Sequence, residues 1–96
     1  MEFTVRADRG TAVVQAEGRF TFKAHPRFRA VVDGLVGIKH ITFDFSKTTY
    51  MDSSALGMLL LAKDKLPGAE IVLQNAQNDV SKVLEIACFH KLFCIK

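Results

Sequence analysis

The sequence predicts an α/β domain with a mostly parallel central sheet and an N-terminal β-hairpin, in the order β-β-α-β-α-β-α-β. Three observations carry this. Short runs with alternating apolar residues interleave with runs at helical spacing. The first two strand runs are separated only by Arg9-Gly10, a hairpin-length turn. Beyond them each strand run is followed by a helical one, a pattern that folds into parallel strands joined by right-handed crossovers.

Taken in order, Phe3, Val5 and Ala7 alternate with polar residues and predict a first strand. Residues 11–17, TAVVQAE, predict the second, ended by Gly18, after which Arg19-Phe20 begins a crossing segment. Pro26 suits a first helical position. Phe28, Val31, Val32 and Leu35 then fall on one helical face, and Gly37 is a plausible stop. In 40-HITFDFS-46, Ile41, Phe43 and Phe45 alternate with polar residues, which predicts a strand ending near Phe45 and a loop running through Tyr50. A long helix over 53–66 follows, stopped by Pro67-Gly68. Residues 69–74 predict a short apolar strand. Asn78-Asp79 are the expected cap of a helix whose buried face is Val80, Val83, Leu84 and Ala87, and Leu92 to Ile95 close the chain as a last strand.

Of the 96 residues, 49% are hydrophobic and 24% charged, a globular composition. The length supports one core rather than two, so residues 1–96 are expected to form a single domain. Ala55 to Ala62, the longest apolar run, is far too short to span a membrane. The start MEFTVRADRG has no basic segment leading into an apolar one, so the expected location is cytoplasmic. The formal net charge of +3 is spread along the chain without a concentrated basic stripe. Direct nucleic-acid binding is therefore not expected, and the small excess favours an acidic partner. Cys88 and Cys94 sit among apolar neighbours and are expected to be buried free thiols. His25, His40 and His90 share no ligand spacing, so neither a metal site nor a cofactor is expected.

The junction 48-TTYMDSSALGMLLLAKDKL-66 holds the candidate chemistry. Asp52, Ser53 and Ser54 stand where a strand passes into a helix, the edge at which open α/β sheets bind ligands. A helix N-terminus has free N–H groups and a positive dipole end, so it accommodates an anion, including a phosphoryl group on serine. Capping alone would also account for Asp and Ser here. A serine nucleophile needs a base, and neither a neighbouring histidine nor a GxSxG elbow is present. In the helix, Ala55, Leu56, Leu59, Ala62 and Leu66 form the arc expected to face the sheet, with Lys63 snorkelling from within it. Gly57, Met58 and Leu61 lie on the side of Ser53 and Ser54. That second arc either packs on a neighbouring helix or is an exposed docking stripe.

The segment 44-DFSKTTYMDSSALGMLLLA-62 resembles the signature of STAS domains, in particular of bacterial anti-anti-sigma factors (anti-sigma factor antagonists). That signature is Asp-x-Ser at a strand end, a short loop, and an Asp-Ser-Ser/Thr-Gly-Leu-Gly helix start. EGRF at 17–20 is similar to the family's crossing segment, and 80-VSKVLEIACFHKLFCI-95 to its last helix and strand. Ala55 stands where the family most often has glycine, which would narrow access to the serine. The resemblance implies a STAS fold without enzymatic activity. It implies an antagonist that binds an anti-sigma factor, a serine kinase of the histidine-kinase-like ATPase type, and so frees a sigma factor. Phosphorylation of Ser53 abolishes binding and a serine phosphatase restores it. Asp52, Ser54 and Asp44 would support the phosphosite. The loop residues Thr49, Tyr50 and Met51, with Gly57, Met58 and Leu61, would bind the partner. Two other classes stay open: a constitutive STAS subunit of a lipid-transport ABC complex or stress-signalling assembly, and a hydrolase using Ser53.

Overall fold

The computed structural model describes residues 1–96. Strands β1 (Glu2–Asp8) and β2 (Thr11–Phe20) form the hairpin. A single 3-10 turn at Phe22–Ala24 leads into helix α1 (His25–Gly34). Strand β3 (His40–Met51), helix α2 (Ser53–Lys65), strand β4 (Glu70–Gln74) and helix α3 (Asn78–Ile86) follow. A second 3-10 turn, Phe89–Lys91, precedes the two-residue strand β5 (Cys94–Ile95). The order of strands in the sheet is their order in the chain, antiparallel between β1 and β2 and parallel thereafter.

That order has a geometric consequence. When parallel strands step steadily in one direction through right-handed crossovers, every crossover helix falls on the same face. Burial agrees. Ala12, Val14, Ala16, Ile41, Phe43, Phe45, Ile71 and Leu73 share one core with Phe28, Val32, Leu59, Ala62, Val80 and Leu84 from the three helices. The opposite strand positions, such as Arg6, Val13, Gln15, Thr42 and Asp44, are exposed or half-buried, Val72 excepted. The core centres on Phe3, Phe20, Phe28, Phe43 and Phe45, whose neighbouring ring centroids lie 5.6 to 6.3 Å apart. Such pairs contribute about 0.5–1.5 kcal/mol each beyond their buried area.

The largest departure from the sequence expectation is in β3. No loop follows Phe45, because the strand runs on to Met51, paired with the equally prolonged β2. Two register shifts let this happen. Between Gln15 and Glu17, and again between Gly18 and Arg19, β3 spends one residue more than β2. The buried positions of β3 are therefore Ile41, Phe43 and Phe45 at a spacing of two, then Thr48 and Met51 at a spacing of three. Each bulge re-phases the inward face. The skipped Ala16 carbonyl accepts a hydrogen bond from the Thr48 hydroxyl at 2.8 Å, which satisfies a buried acceptor that the ladder leaves out.

Smaller corrections have local causes. Val5 and Ala7 are exposed, since of the inward positions of β1 only Phe3 is packed, against Phe20 and Phe28. Helix α1 ends at Gly34, before Gly37, which takes a turn at φ 91°. Gln77, not Asn78, caps α3, through its carbonyl rather than its side chain; Asn78 has φ 51°. Both cysteines are free but exposed. Cys88 occupies a left-handed turn after α3, and Cys94 pairs with Val72 on the edge strand.

Candidate functional site

Strand β4 stops at Gln74, which pairs with Asp44, while β3 continues for seven residues paired with β2 alone. The result is a two-stranded arm whose tip holds Phe20 and Met51 side by side. Both side chains are buried and anchor it. Their neighbours Arg19 and Tyr50 point away from the core, the guanidinium lying 4.3 Å from the ring centroid. From the tip the chain passes through Asp52, whose N–H donates to the Phe20 carbonyl at 3.3 Å, into α2.

Asp52 is the N-cap. Its backbone is extended (φ −110°, ψ −178°), and Oδ1 accepts from the N–H groups of Ser54 at 3.0 Å and Ala55 at 3.2 Å. The same oxygen also accepts the Ser54 hydroxyl. The two adjacent serines are thereby made unlike. Ser54 is half-buried with its hydroxyl committed to the cap, whereas Ser53 is exposed and its hydroxyl has no hydrogen bond within the chain. A group added to Ser53 would sit at the positive end of α2.

The helix turns a different face outward from the one expected. Ala55, Met58, Leu59, Ala62 and Leu66 are buried, so Met58 belongs to the core and not to a docking stripe, as does Met51. Leu56 and Leu61 are half-buried flanks, and Lys63 is exposed, its Nζ 6.0 Å from the Phe93 ring. The outward face consists of Ser53, Gly57, Leu60 and Asp64. Leu60, 41% exposed, was missed by the sequence reading, although it stands seven residues after Ser53 and two helical turns bring it back to that face. Gly57 stands in open space, where an added Cβ would meet nothing within 4 Å. Ala55 is fully buried, so its methyl points into the core and does not narrow access to Ser53. Thr49 and Tyr50 are exposed on the arm.

The structure does not bring Asp44 to the serine. It lies seven residues before Met51, roughly 20 Å along the strand. There it accepts from the Ser46 N–H at 2.9 Å and the Asn75 side-chain amide at 3.1 Å, and so ties together the fork where β4 leaves β3. Partial burial pushes its carboxyl up. The Ser46 N–H, the Asn75 amide, the Ser46 hydroxyl and the Gln15 side chain together outweigh that and hold it below the usual carboxylate value.

The pattern of one known domain family matches residues 2–96, a span that includes the arm, the Asp52 cap and both serines. The chain belongs to the STAS domain family. Within it, the chain is 41% identical over 92 residues to the STAS-domain containing protein PA14_20770 of Pseudomonas aeruginosa strain UCBPP-PA14, covering 93% of this chain and 91% of that protein. The STAS fold here is similar to that of an anti-sigma factor antagonist from Mycobacterium paratuberculosis, with a TM-score of 0.86 at 16% identity, over 98% of this chain and 83% of that one. It is also similar to the anti-sigma factor antagonist SpoIIAA in its unphosphorylated form, with a TM-score of 0.76 at 21% identity, over 99% of this chain and 87% of that one. The phosphorylated form of SpoIIAA, from Bacillus, gives the same TM-score and identity, over 99% and 91%. No helix of this STAS domain is long and apolar enough to cross a membrane.

Proposed function

We propose that this STAS domain is an anti-sigma factor antagonist switched by phosphorylation of Ser53. In the unphosphorylated state it binds an anti-sigma factor that is also a serine kinase of the histidine-kinase-like ATPase type, and so releases a sigma factor. The kinase then transfers the γ-phosphoryl group of ATP to Ser53. The Oγ–P bond forms, the bond to the ADP leaving oxygen breaks, and the hydroxyl proton leaves to a base. A serine phosphatase hydrolyses the ester and resets the switch.

One observation carries the reading: of the two serines at the cap, only Ser53 offers a free, exposed hydroxyl. Phosphorylation adds nearly two negative charges and three acceptor oxygens at that point. The helix end tolerates them, so the free domain keeps its fold, while a partner surface packed on the tip meets repulsion and a desolvation cost. The matching likeness to both forms of SpoIIAA supports a switch that works by charge at the surface rather than by refolding. Thr49 and Tyr50 on the arm and Gly57, Leu60 and Leu61 on the helix form the docking face.

The test is incubation with ATP and the histidine-kinase-like serine kinases of the same genome, followed by phosphosite mapping. The expected product is phosphoserine at 53, with Ser53→Ala unmodified but still bound to the kinase and Ser53→Asp released. Phosphate on Ser54 or Thr49 with Ser53 clean, or equal kinase affinity for the Ala and Asp variants, overturns the proposal.

A further inference from the structure

Beside the serine runs a groove of about 430 Å³ between the β2–α1 connection and the tip of the arm. Arg19, Phe22, Lys23, Tyr50 and Asp52 are among its walls. Of the eight phenylalanines in the chain, six are buried and Phe3 is half-buried; Phe22 alone is exposed, at 66%. Its backbone belongs to a hydrogen-bonded turn. The 3-10 turn that carries it is closed by the Ala24 N–H on the Thr21 carbonyl at 2.9 Å and started by the Thr21 hydroxyl, which accepts from the Lys23 N–H at 3.4 Å. The Arg19 guanidinium lies over the Tyr50 ring, and neither Arg19 nor Lys23 has an ion-pair partner in the chain. The one acid in the groove wall, Asp52, is turned to capping.

We infer that the rim of this groove, a ridge made by Arg19, Phe22 and Lys23, is a second docking surface, continuous with Ser53 through Asp52, and that its occupant is an acidic protein surface with an apolar socket for Phe22. The inference rests on the proposed function and deepens it by naming the chemistry of the partner. Two unpaired cations beside an exposed aromatic ring are an interface composition, since arginine and aromatic anchors dominate binding energy. A second copy of the chain is a poor occupant. A two-fold contact would set the ridge against itself, cation to cation. Against an acidic partner a phosphoryl group on Ser53 would act twice, repelling the partner's acids and competing for Arg19 and Lys23.

The experiment is calorimetric titration of the full chain with the kinase found to phosphorylate Ser53, at low and high salt. Arg19→Gln/Lys23→Gln is expected to weaken binding about three- to tenfold at low salt, the worth of two exposed ion pairs, with the difference closing as salt rises. Phe22→Ala is expected to weaken it about fivefold or more at both salts. Lys39→Gln/Lys65→Gln removes the same charge from the opposite end of the molecule and should change nothing. All variants should melt with the parent, since the replaced side chains are exposed. Wild-type affinity in both the charge variant and Phe22→Ala, while Ser53→Asp still releases the kinase, overturns the ridge and leaves the proposed function standing. Failure of the unmodified chain to bind any kinase overturns both. Cosedimentation with phosphatidylserine vesicles that depends on Phe22 and Lys23, with kinase affinity unchanged, would assign the ridge to a membrane surface instead and also overturns it.

Discussion

The two halves of β3 obey different rules. From His40 to Asp44 the strand is paired on both sides, with β2 and β4, and its side chains alternate in and out. From Ser46 to Met51 it is paired on one side only, and buried residues recur every third position. The first half is the middle of a sheet and its residues are chosen by packing. The second half is a bracket. Its bulges aim Met51 inward and Tyr50 outward, and deliver Asp52 and Ser53 beyond the end of β4. A strand can thus be built into a core at one end and carry a helix cap with its exposed serine at the other, with two inserted residues as the joint.

Mutation should separate the two halves of β3, and the largest effect belongs to the first. Phe43→Ala removes a ring stacked on Phe28 at 5.7 Å in the fully buried core and should cost about 3–5 kcal/mol in urea unfolding. In the second half, Thr48→Val keeps the shape but orphans the Ala16 carbonyl, at an expected cost of about 1–3 kcal/mol. A loss as large as that of Phe43→Ala would mean that the bracket and the core are one cooperative unit with no division of labour. Beyond the bracket, Gly57→Ala should stabilise the domain by about 0.8–1 kcal/mol, because the methyl meets nothing and alanine is the better helix former. The same change should weaken kinase binding if a partner packs closely there, so a higher melting temperature with undiminished affinity would remove Gly57 from the docking face. The smallest effect is expected at the boundary. Because the folded Asp44 carboxyl titrates below its ordinary value, its contribution is present above the unfolded pKa and is lost as pH falls through the folded one. Asp44→Asn should therefore be less stable than the parent at neutral pH, and the gap should narrow below about pH 4. A gap independent of pH would show that the fork is held without the charge.

The same division explains what could be read from the sequence. Ile41, Phe43 and Phe45 announce a strand because alternation is intact, and the hairpin, the three helices and the element order follow from equally regular patterns. In SKTTYM the bulges destroy the period of two, so the residues that carry the site looked like a loop. The cap at Asp52 was legible because its chemistry is local. The outward face of α2 was not, because a helix rich in leucine and alanine on every side gives no clear polar stripe to orient it. Met58 was accordingly placed outside and Leu60 overlooked. Asp44 matched a motif that sequence puts near the serine and the extended strand puts far away. Cys88 and Cys94 have apolar neighbours in sequence, but a left-handed turn and an edge strand leave them at the surface.

Because strand order equals chain order, every parallel pairing in the sheet closes over a single intervening helix. Short closures are inexpensive in chain entropy, so the domain should fold early and without long-range search. It should also open by stages, from the margin inward. The two-residue β5 is the outermost strand on one side, and exchange of its amide hydrogens is expected to be the fastest in the sheet. β3, central and flanked by the long β2, should be the slowest. The arm that leads to Ser53 is thus rooted in the doubly paired segment that opens last, so fluctuations that release the C-terminal margin leave that root in place.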